Sequence, residues 1–400
     1  MEEDLINEIF KINEKAKNQA KKYPKKRFVY NELFEKKSRT FIGIAGLRGI
    51  GKTILLKQKL LETENAVYMS LDSLENINLY KTAETLKKNY GIKTLLLDEI
   101  SYCRNWQKDI KKIYDFLDLK VWFTSSVAID IIHSKYDLGR RVISKNVYPF
   151  SFREYLYFSR NIIEKQAEIT DINKPELLQK ISRHDHEFEE YINGGLIPAL
   201  LEEKEFSIIS NILDRIIERD LVYSLNFSGE DISNTKIMLE YIANAGIDDV
   251  SYSSTAKNIG ITKYKAMQYV DALEKAFVLN AVKPTGTNVL KEPKILFVPP
   301  FRLKYLKNKD FKENIGAFRE EFFVENMKRL EAEIHYIKGK KGEKKPDYLV
   351  KFKEKEFVFE IGGKRKTRTQ LKNYKKEKYI LAFPSNSVNP YRPLLFAGFL

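Results

Sequence analysis

Gly46-Leu47-Arg48-Gly49-Ile50-Gly51-Lys52-Thr53 decides how this chain is read, because it sets glycines, a lysine and a threonine at the spacing of a phosphate-binding loop. An apolar run, Phe41 to Ala45, precedes it, and a helix-forming run, Ile54 to Leu61, follows it. That strand, loop and helix order is the context the motif requires. Glycines let the backbone turn tightly enough for successive N–H groups to face phosphate oxygens, and the helix N-terminus adds partial positive charge. In such a loop Lys52 reaches the β and γ phosphates as a point charge, and the Thr53 hydroxyl ligates Mg²⁺. The alternative is a chance glycine-rich turn, against which the flanking elements count.

A chain of 400 residues exceeds what one core usually supports, so two or three domains are expected. With 43% hydrophobic and 31% charged residues it is ordinary globular material. Seventy Lys and Arg against 55 Asp and Glu leave a net charge of +15, which suits a polyanionic partner such as DNA; a lysine-rich surface also serves solubility. Cys103 is the single cysteine, so no disulfide and no cysteine-based zinc site can form within one chain, as in a reducing cytoplasm. Met1-Glu2-Glu3-Asp4 has the wrong charge for a signal peptide, and no run of about 18 uncharged apolar residues appears. A cytoplasmic protein without a membrane partner is the expectation.

Residues 1–38 read as a helical, basic lead-in, with Leu5, Ile6, Ile9, Phe10 and Ile12 forming a short apolar stripe. From 39 to 155 strands at 41–45, 66–71, 93–98 and 119–124 alternate with helices at 52–62, 78–90, 106–117 and 127–135. This α/β pattern predicts a P-loop NTPase parallel sheet covered on both faces, with the ligand at the carboxyl ends of the strands. The third strand, Thr94-Leu95-Leu96-Leu97-Asp98-Glu99, ends there in two carboxylates. Asp98 is expected to hold Mg²⁺ through its water shell, and Glu99 to orient or deprotonate an attacking water. The next strand ends in Thr124-Ser125-Ser126, where Ser125 is either a sensor of the γ-phosphate or a helix cap. Arg140, in Leu138-Gly139-Arg140-Arg141, is either a finger that neutralises the γ-phosphate or half of a solvated pair. A finger acts in cis or from a neighbouring subunit; in the second case the working unit is a homo-oligomer.

These motifs, with Trp106, the run Tyr148-Pro149-Phe150-Ser151-Phe152-Arg153-Glu154-Tyr155-Leu156 and the turn Gly194-Gly195-Leu196-Ile197-Pro198, resemble the AAA-type prokaryotic ATPases abundant in archaea. In that family a P-loop ATPase is followed by a winged helix and a restriction-endonuclease-like domain. The resemblance implies ATP as the nucleotide, and a sheet with an extra strand between the loop strand and the Asp98 strand. It runs from about residue 40 to the end of the chain.

Residues 156–240 read as a helical lid, with Ile208, Ile209, Ile212, Leu213, Ile216 and Ile217 as its core stripe. Residues 241–299 read as a winged helix: a helix ending near Gly260, a second over Lys263–Lys275, and wing strands at Leu279–Lys283 and Ile295–Val298. Its second helix is expected to show Thr262, Lys263, Lys265 and Gln268 to a major groove, or else to bind another part of the protein. His184-Asp185-His186 is expected to be a solvated turn, lacking further metal ligands nearby.

Residues 300–400 match the nuclease-like domain of the resembled family, with Glu320, Asp347 and Glu360 in its acidic positions. In an active enzyme of that kind Asp347 and Glu360 bind Mg²⁺, and a lysine two residues after Glu360 helps to activate water. That position is Gly362, with Lys364 beyond it, so a degenerate domain without cleavage is expected. Basic clusters Lys338–Lys345 and Lys364–Arg368 suit anion contact. The sequence therefore favours an ATP- and Mg²⁺-dependent ATPase acting through this module on DNA. The alternatives are an ATP-held switch for a protein partner and an ATP-dependent nuclease.

Overall fold

The computed structural model describes all residues except 1, 36–38, 75–76, 129–137, 204, 287–291, 309, 339–344, 364–370, 372–375 and 386–390. The helix expected at 127–135, Lys364 and most of both C-terminal basic clusters thus lie outside the described residues. The chain divides into two units, the first formed by Met1–Tyr148 with Arg215–Phe227, the second by Pro149–Asp214 with Ser228–Leu400.

In the first unit, β1 (Phe41–Gly46) and β3 (Thr94–Asp98) are buried at every position. Their unbroken apolar character follows from that, since a parallel sheet hides both faces. With β2 (Ala66–Ser70), β4 (Lys120–Ser125) and β5 (Val142–Val147) they form one sheet in the order β2-β3-β4-β1-β5, parallel throughout. Strand β4 lies between β1 and β3, the arrangement the family resemblance implied and linear spacing could not supply.

Helix α1 (Glu2–Ala20) buries Ile6, Ile9, Ala16 and Ala20, and its Asn13 Oδ1 accepts the Tyr68 N–H at 2.9 Å. The lead-in therefore covers the edge strand β2, satisfying a backbone donor that an open edge would leave for another chain. After a short helix, α2 (Tyr30–Phe34), and the loop strand comes α3 (Lys52–Leu61), which starts directly from the phosphate loop. Helix α4 (Leu79–Tyr90) is capped by the Asn78 side chain, which accepts the Lys81 N–H at 3.0 Å. Helix α5 (Trp106–Phe116) buries Trp106, Ile110 and Ile113, one face at helical spacing.

In the second unit a capping box joins Ser151 and Glu154 at the start of helix Phe152–Arg160. Helix Tyr252–Ile259 ends at Gly260, whose φ of 76° suits glycine, and helix Lys263–Lys275 follows, capped by Thr262. Strands β6 (Leu279–Val282) and β7 (Lys294–Phe297) then pair antiparallel. Helix Phe311–Arg329 buries Phe318, Phe322, Phe323, Val324 and Met327, and makes contact with the first and third strands of a five-stranded sheet. That sheet comprises β8 (Glu333–Tyr336), β9 (Tyr348–Phe352), β10 (Lys355–Gly362), β11 (Glu377–Ala382) and β12 (Tyr391–Pro393), in sequential order. Its first two pairings are antiparallel and its last two parallel.

In the turn His184-Asp185-His186 the His186 side chain is exposed, while Asp185 accepts the Ser385 N–H and hydroxyl, both at 2.5 Å, tying the turn to the C-terminal segment. Among the described residues no helix is long and apolar enough to cross a membrane.

Candidate nucleotide site

Parallel register puts Gly46, Asp98 and Ser125 at one sheet edge: Ala45 lies beside Ser125, and β3 ends next to β4. The loop leaves β1 with Leu47 and Ile50 fully buried, and with Gly49 and Gly51 at φ of 85° and 91°. Gly46 is required for another reason. A Cβ there would sit 2.3 Å from the Val147 carbonyl oxygen and 2.6 Å from Ile50 Cδ1. Lys52 folds back on the loop, its Nζ donating to the Gly46 and Leu47 carbonyls at 2.7 and 3.0 Å, which leaves one of three ammonium donors. Burial pulls its pKa down, against the raising influence of Glu99. Arg27, from the lead-in, donates to the Ile50 carbonyl at 3.1 Å and braces the loop from outside its motif.

Asp98 is buried and held from two sides: Thr124 Oγ1 donates to Oδ1 at 2.6 Å, and the Tyr68 hydroxyl to Oδ2 at 2.7 Å. Glu99 adopts a left-handed backbone, φ 53°, with its N–H donating to Thr124 Oγ1 at 2.9 Å. Ser126 Oγ donates to the Glu99 carboxylate at 2.8 and 3.0 Å. Burial pushes the pKa of Glu99 up, while Lys52 and Arg48 pull it down.

Ser125, expected as sensor or cap, is not the residue that meets these carboxylates. Strand side chains alternate between faces, so Thr124 and Ser126 reach the carboxylates. Ser125 Oγ accepts the Val127 N–H at 3.3 Å, a local turn contact of the kind the cap alternative describes.

Arg140 lies away from this edge. Val142 pairs with Phe41 at the start of β1, whereas Gly46 pairs with Val147, so the Arg140 turn sits at the opposite end of the sheet. Five residue steps of parallel strand separate the two ends, about 17 Å. Arg140 is exposed, and Arg141 pairs with Asp115 at 2.9 and 3.0 Å.

The arginine that does reach the site is Arg48, in the loop itself. Its Nε and Nη2 donate to Asp220 Oδ2 and Oδ1 at 3.2 and 3.0 Å, and Nη2 lies 3.8 Å from Glu99 Oε1. The Tyr102 hydroxyl donates to the same Asp220 Oδ1 at 3.0 Å. Sequence reading missed Asp220 and Tyr102. A signal was present: Asp220 stands among Ile216, Ile217 and Leu221, and an acid within a core stripe needs a charged partner.

In the C-terminal domain Glu320 and Asp347 accept hydrogen bonds from neighbouring groups. Glu320 Oε2 accepts from Lys294 Nζ at 2.7 Å and from the Tyr348 hydroxyl at 2.6 Å; Lys294 also pairs with Asp248 at 2.9 Å. Asp347 Oδ2 accepts the Ile361 N–H at 2.7 Å, and Glu360 is fully buried. Among the described residues no group of three or more His, Cys, Asp or Glu is arranged to hold a metal ion. The two lysines expected in a DNA groove are paired as well, Lys263 with Glu292 and Lys265 with Asp231, both at 2.6 Å.

An AAA domain family model matches residues 38–156, and a domain of unknown function, DUF8612, matches 185–313. The uncharacterized protein MJ1637 of Methanocaldococcus jannaschii is 33% identical over 69% of this chain; the chain spans 65% of that relative's length. A second protein of that organism, MJ1544, is 26% identical over 83% of this chain and 77% of its own. Among solved structures, the Walker-type ATPase PABY2304 of Pyrococcus abyssi aligns at 14% identity and a TM-score of 0.40, covering 71% of this chain and 96% of its own. The RuvB Holliday junction branch migration motor of Thermotoga maritima aligns at 16% identity and a TM-score of 0.26, over 71% of this chain and 90% of its own. Loop, interposed strand and family match fall in one segment: residues 38–156 match an AAA domain and carry a phosphate-loop motif on a parallel sheet with β4 between β1 and β3.

Proposed function

We propose that the chain hydrolyses ATP with Mg²⁺ and uses the cycle to rearrange its second unit on DNA. The observation that carries the reading is the single sheet edge that gathers Lys52, Asp98 and Glu99 through the insertion of β4 between β1 and β3. The donor set fits Mg²⁺: Thr53 offers a hydroxyl on the first turn of α3, and each Asp98 oxygen accepts one described hydrogen bond, which leaves acceptor capacity for a metal-bound water. When bound, the ion would supply charge neutralisation to the phosphates.

The loop N–H groups and Lys52 bind the phosphates, and the buried surroundings of Asp98 and Glu99 exclude bulk water. Glu99, fixed by Ser126, orients the attacking water and takes its proton as the water oxygen bonds the γ-phosphorus. The bond from that phosphorus to the bridging oxygen breaks, and its electron pair leaves with ADP. Arg140 acts on the nucleotide of a neighbouring subunit.

The net charge of +15 supports DNA as the partner, as does the similarity of the helix pair and hairpin at 252–297 to a winged helix. One observation favours a second reading: because Lys263 and Lys265 are neutralised by Glu292 and Asp231, that module binds a protein instead. Steady-state phosphate release with Mg²⁺-ATP, with and without duplex and single-stranded DNA over a salt series, separates them. Stimulation that fades steeply with salt supports DNA; hydrolysis that requires Lys52 and Glu99 but ignores DNA supports the protein partner; absence of hydrolysis refutes the ATPase assignment.

A further inference from the structure

We propose that Arg48 is a ligand of the ATP terminal phosphate and that Asp220 is its competitor, so that triphosphate binding draws the guanidinium off Asp220 and frees the segment Arg215–Phe227. The inference rests on the ATP reading above and adds to it a residue role and a route of transmission.

Arg48 is the third residue of the phosphate loop, so its backbone lies where the phosphates are wrapped. Its guanidinium spans two carboxylates of different purpose. Nη2 is 3.8 Å from Glu99 Oε1, the group that faces the attacking water, and hence within side-chain reach of the phosphorus under attack. Nε and Nη2 also form a two-pronged contact with Asp220, at 3.2 and 3.0 Å. A terminal phosphate offers the same forked acceptor geometry with more negative charge than a carboxylate, so it competes for those donors. The loop thereby supplies in cis the cation that Arg140, at the far end of the sheet, cannot.

The consequence for Asp220 follows from burial. Its side chain is 3% exposed, and without Arg48 the Tyr102 hydroxyl is its one described hydrogen-bond donor, with Lys52 a more distant cation. A buried carboxylate stripped of its cation is strongly unfavourable, so the turn that carries it moves toward water. That turn, Ile216–Asp220, has the wide π-helical geometry that often marks a functional irregularity, and it leads into helix Leu221–Leu225. On both sides of Arg215–Phe227 the chain continues into the second unit, through Asp214 and through Ser228. Release of one short segment therefore pulls on two covalent connections.

The test compares affinities of the full-length protein for ADP and for the non-hydrolysed β,γ-imido analogue of ATP, by calorimetry with Mg²⁺ present. Asp220→Asn should tighten the triphosphate analogue about tenfold relative to ADP, because the amide competes poorly for the guanidinium. Arg48→Ala should weaken the analogue about tenfold and leave ADP within about threefold, and Arg48→Lys should recover part of the loss. Hydrogen exchange of 215–227 should accelerate when the analogue, but not ADP, is added. Equal shifts for both nucleotides, or none in the Asp220 variant, overturn the proposal. If Arg48→Ala fails to fold by circular dichroism, Asp220→Asn and Arg48→Lys decide it alone. Wild-type protein that binds neither nucleotide would overturn the ATP reading itself, a distinct failure.

Discussion

Replacing Glu99 by Gln separates binding from turnover, and the structure sets the expected size of each effect. Glutamine keeps the shape and one acceptor oxygen, so one of the two Ser126 contacts at 2.8 and 3.0 Å survives. What disappears is the proton acceptor. Loss of a positioned general base costs about 10²–10⁴ in rate, or roughly 2.7–5.4 kcal/mol of barrier at about 1.36 kcal/mol per decade. Nucleotide affinity should move the other way. At 3.8 Å the Glu99–Arg48 attraction is about 4 kcal/mol before desolvation, at an effective dielectric of about 20. Removing that negative charge leaves Arg48 and Lys52 more available to phosphate. We therefore expect Glu99→Gln to bind ATP at least as tightly as wild type, by calorimetry, while single-turnover phosphate release falls a hundredfold or more. Because burial raises the Glu99 pKa, the acidic limb of the wild-type pH–rate profile should lie above the usual glutamate range and be missing in the variant. Turnover within threefold of wild type, or binding lost together with turnover, would refute the assignment.

Three further outcomes are expected. Gly46→Ala places a methyl 2.3 Å from the Val147 carbonyl, so strand or loop must shift by about 0.7 Å; nucleotide binding should be lost and thermal melts should show about 1–3 kcal/mol of destabilisation. Arg302, 2% exposed, donates to Glu321 Oε1 at 2.7 Å and to the Ala243 carbonyl at 2.6 Å, so Arg302→Ala should cost about 3–5 kcal/mol in urea unfolding. The double variant Arg302→Met, Glu321→Leu should recover most of that, since no buried charge is left alone. Burial would raise the pKa of Glu292, yet Lys263, Ser253 and the Ser253 N–H bring it down from 4.5 to about 2. A depressed carboxylate stabilises above its unfolded pKa, so about 1–2 kcal/mol, reduced by solvent screening, should vanish as pH falls through that window, and Glu292→Gln should lose the pH dependence in melts.

The sequence by itself determined whatever depends on neighbours along the chain. The glycines and lysine of 46–53, the apolar strand ending in Asp98-Glu99 and the βα alternation are local patterns, because strand burial and helix formation impose their periods on consecutive residues. The same locality explains the limits. Which of Thr124, Ser125 and Ser126 faces the carboxylates depends on the pleat phase of β4 against β3, and adjacent serines carry no mark of it. Arg140 read as a finger because it follows the core motifs, but the parallel register of β5 carries it to the far edge. Asp220 stands 172 positions from Arg48 and Arg27 stands 23 from Ile50; each bond exists only because folding brings distant segments together around the loop. In the C-terminal domain the acidic residues were visible, while their pairing with Lys294, Tyr348 and a strand N–H was decided by packing, since a buried carboxylate takes the donors that the tertiary structure sets beside it.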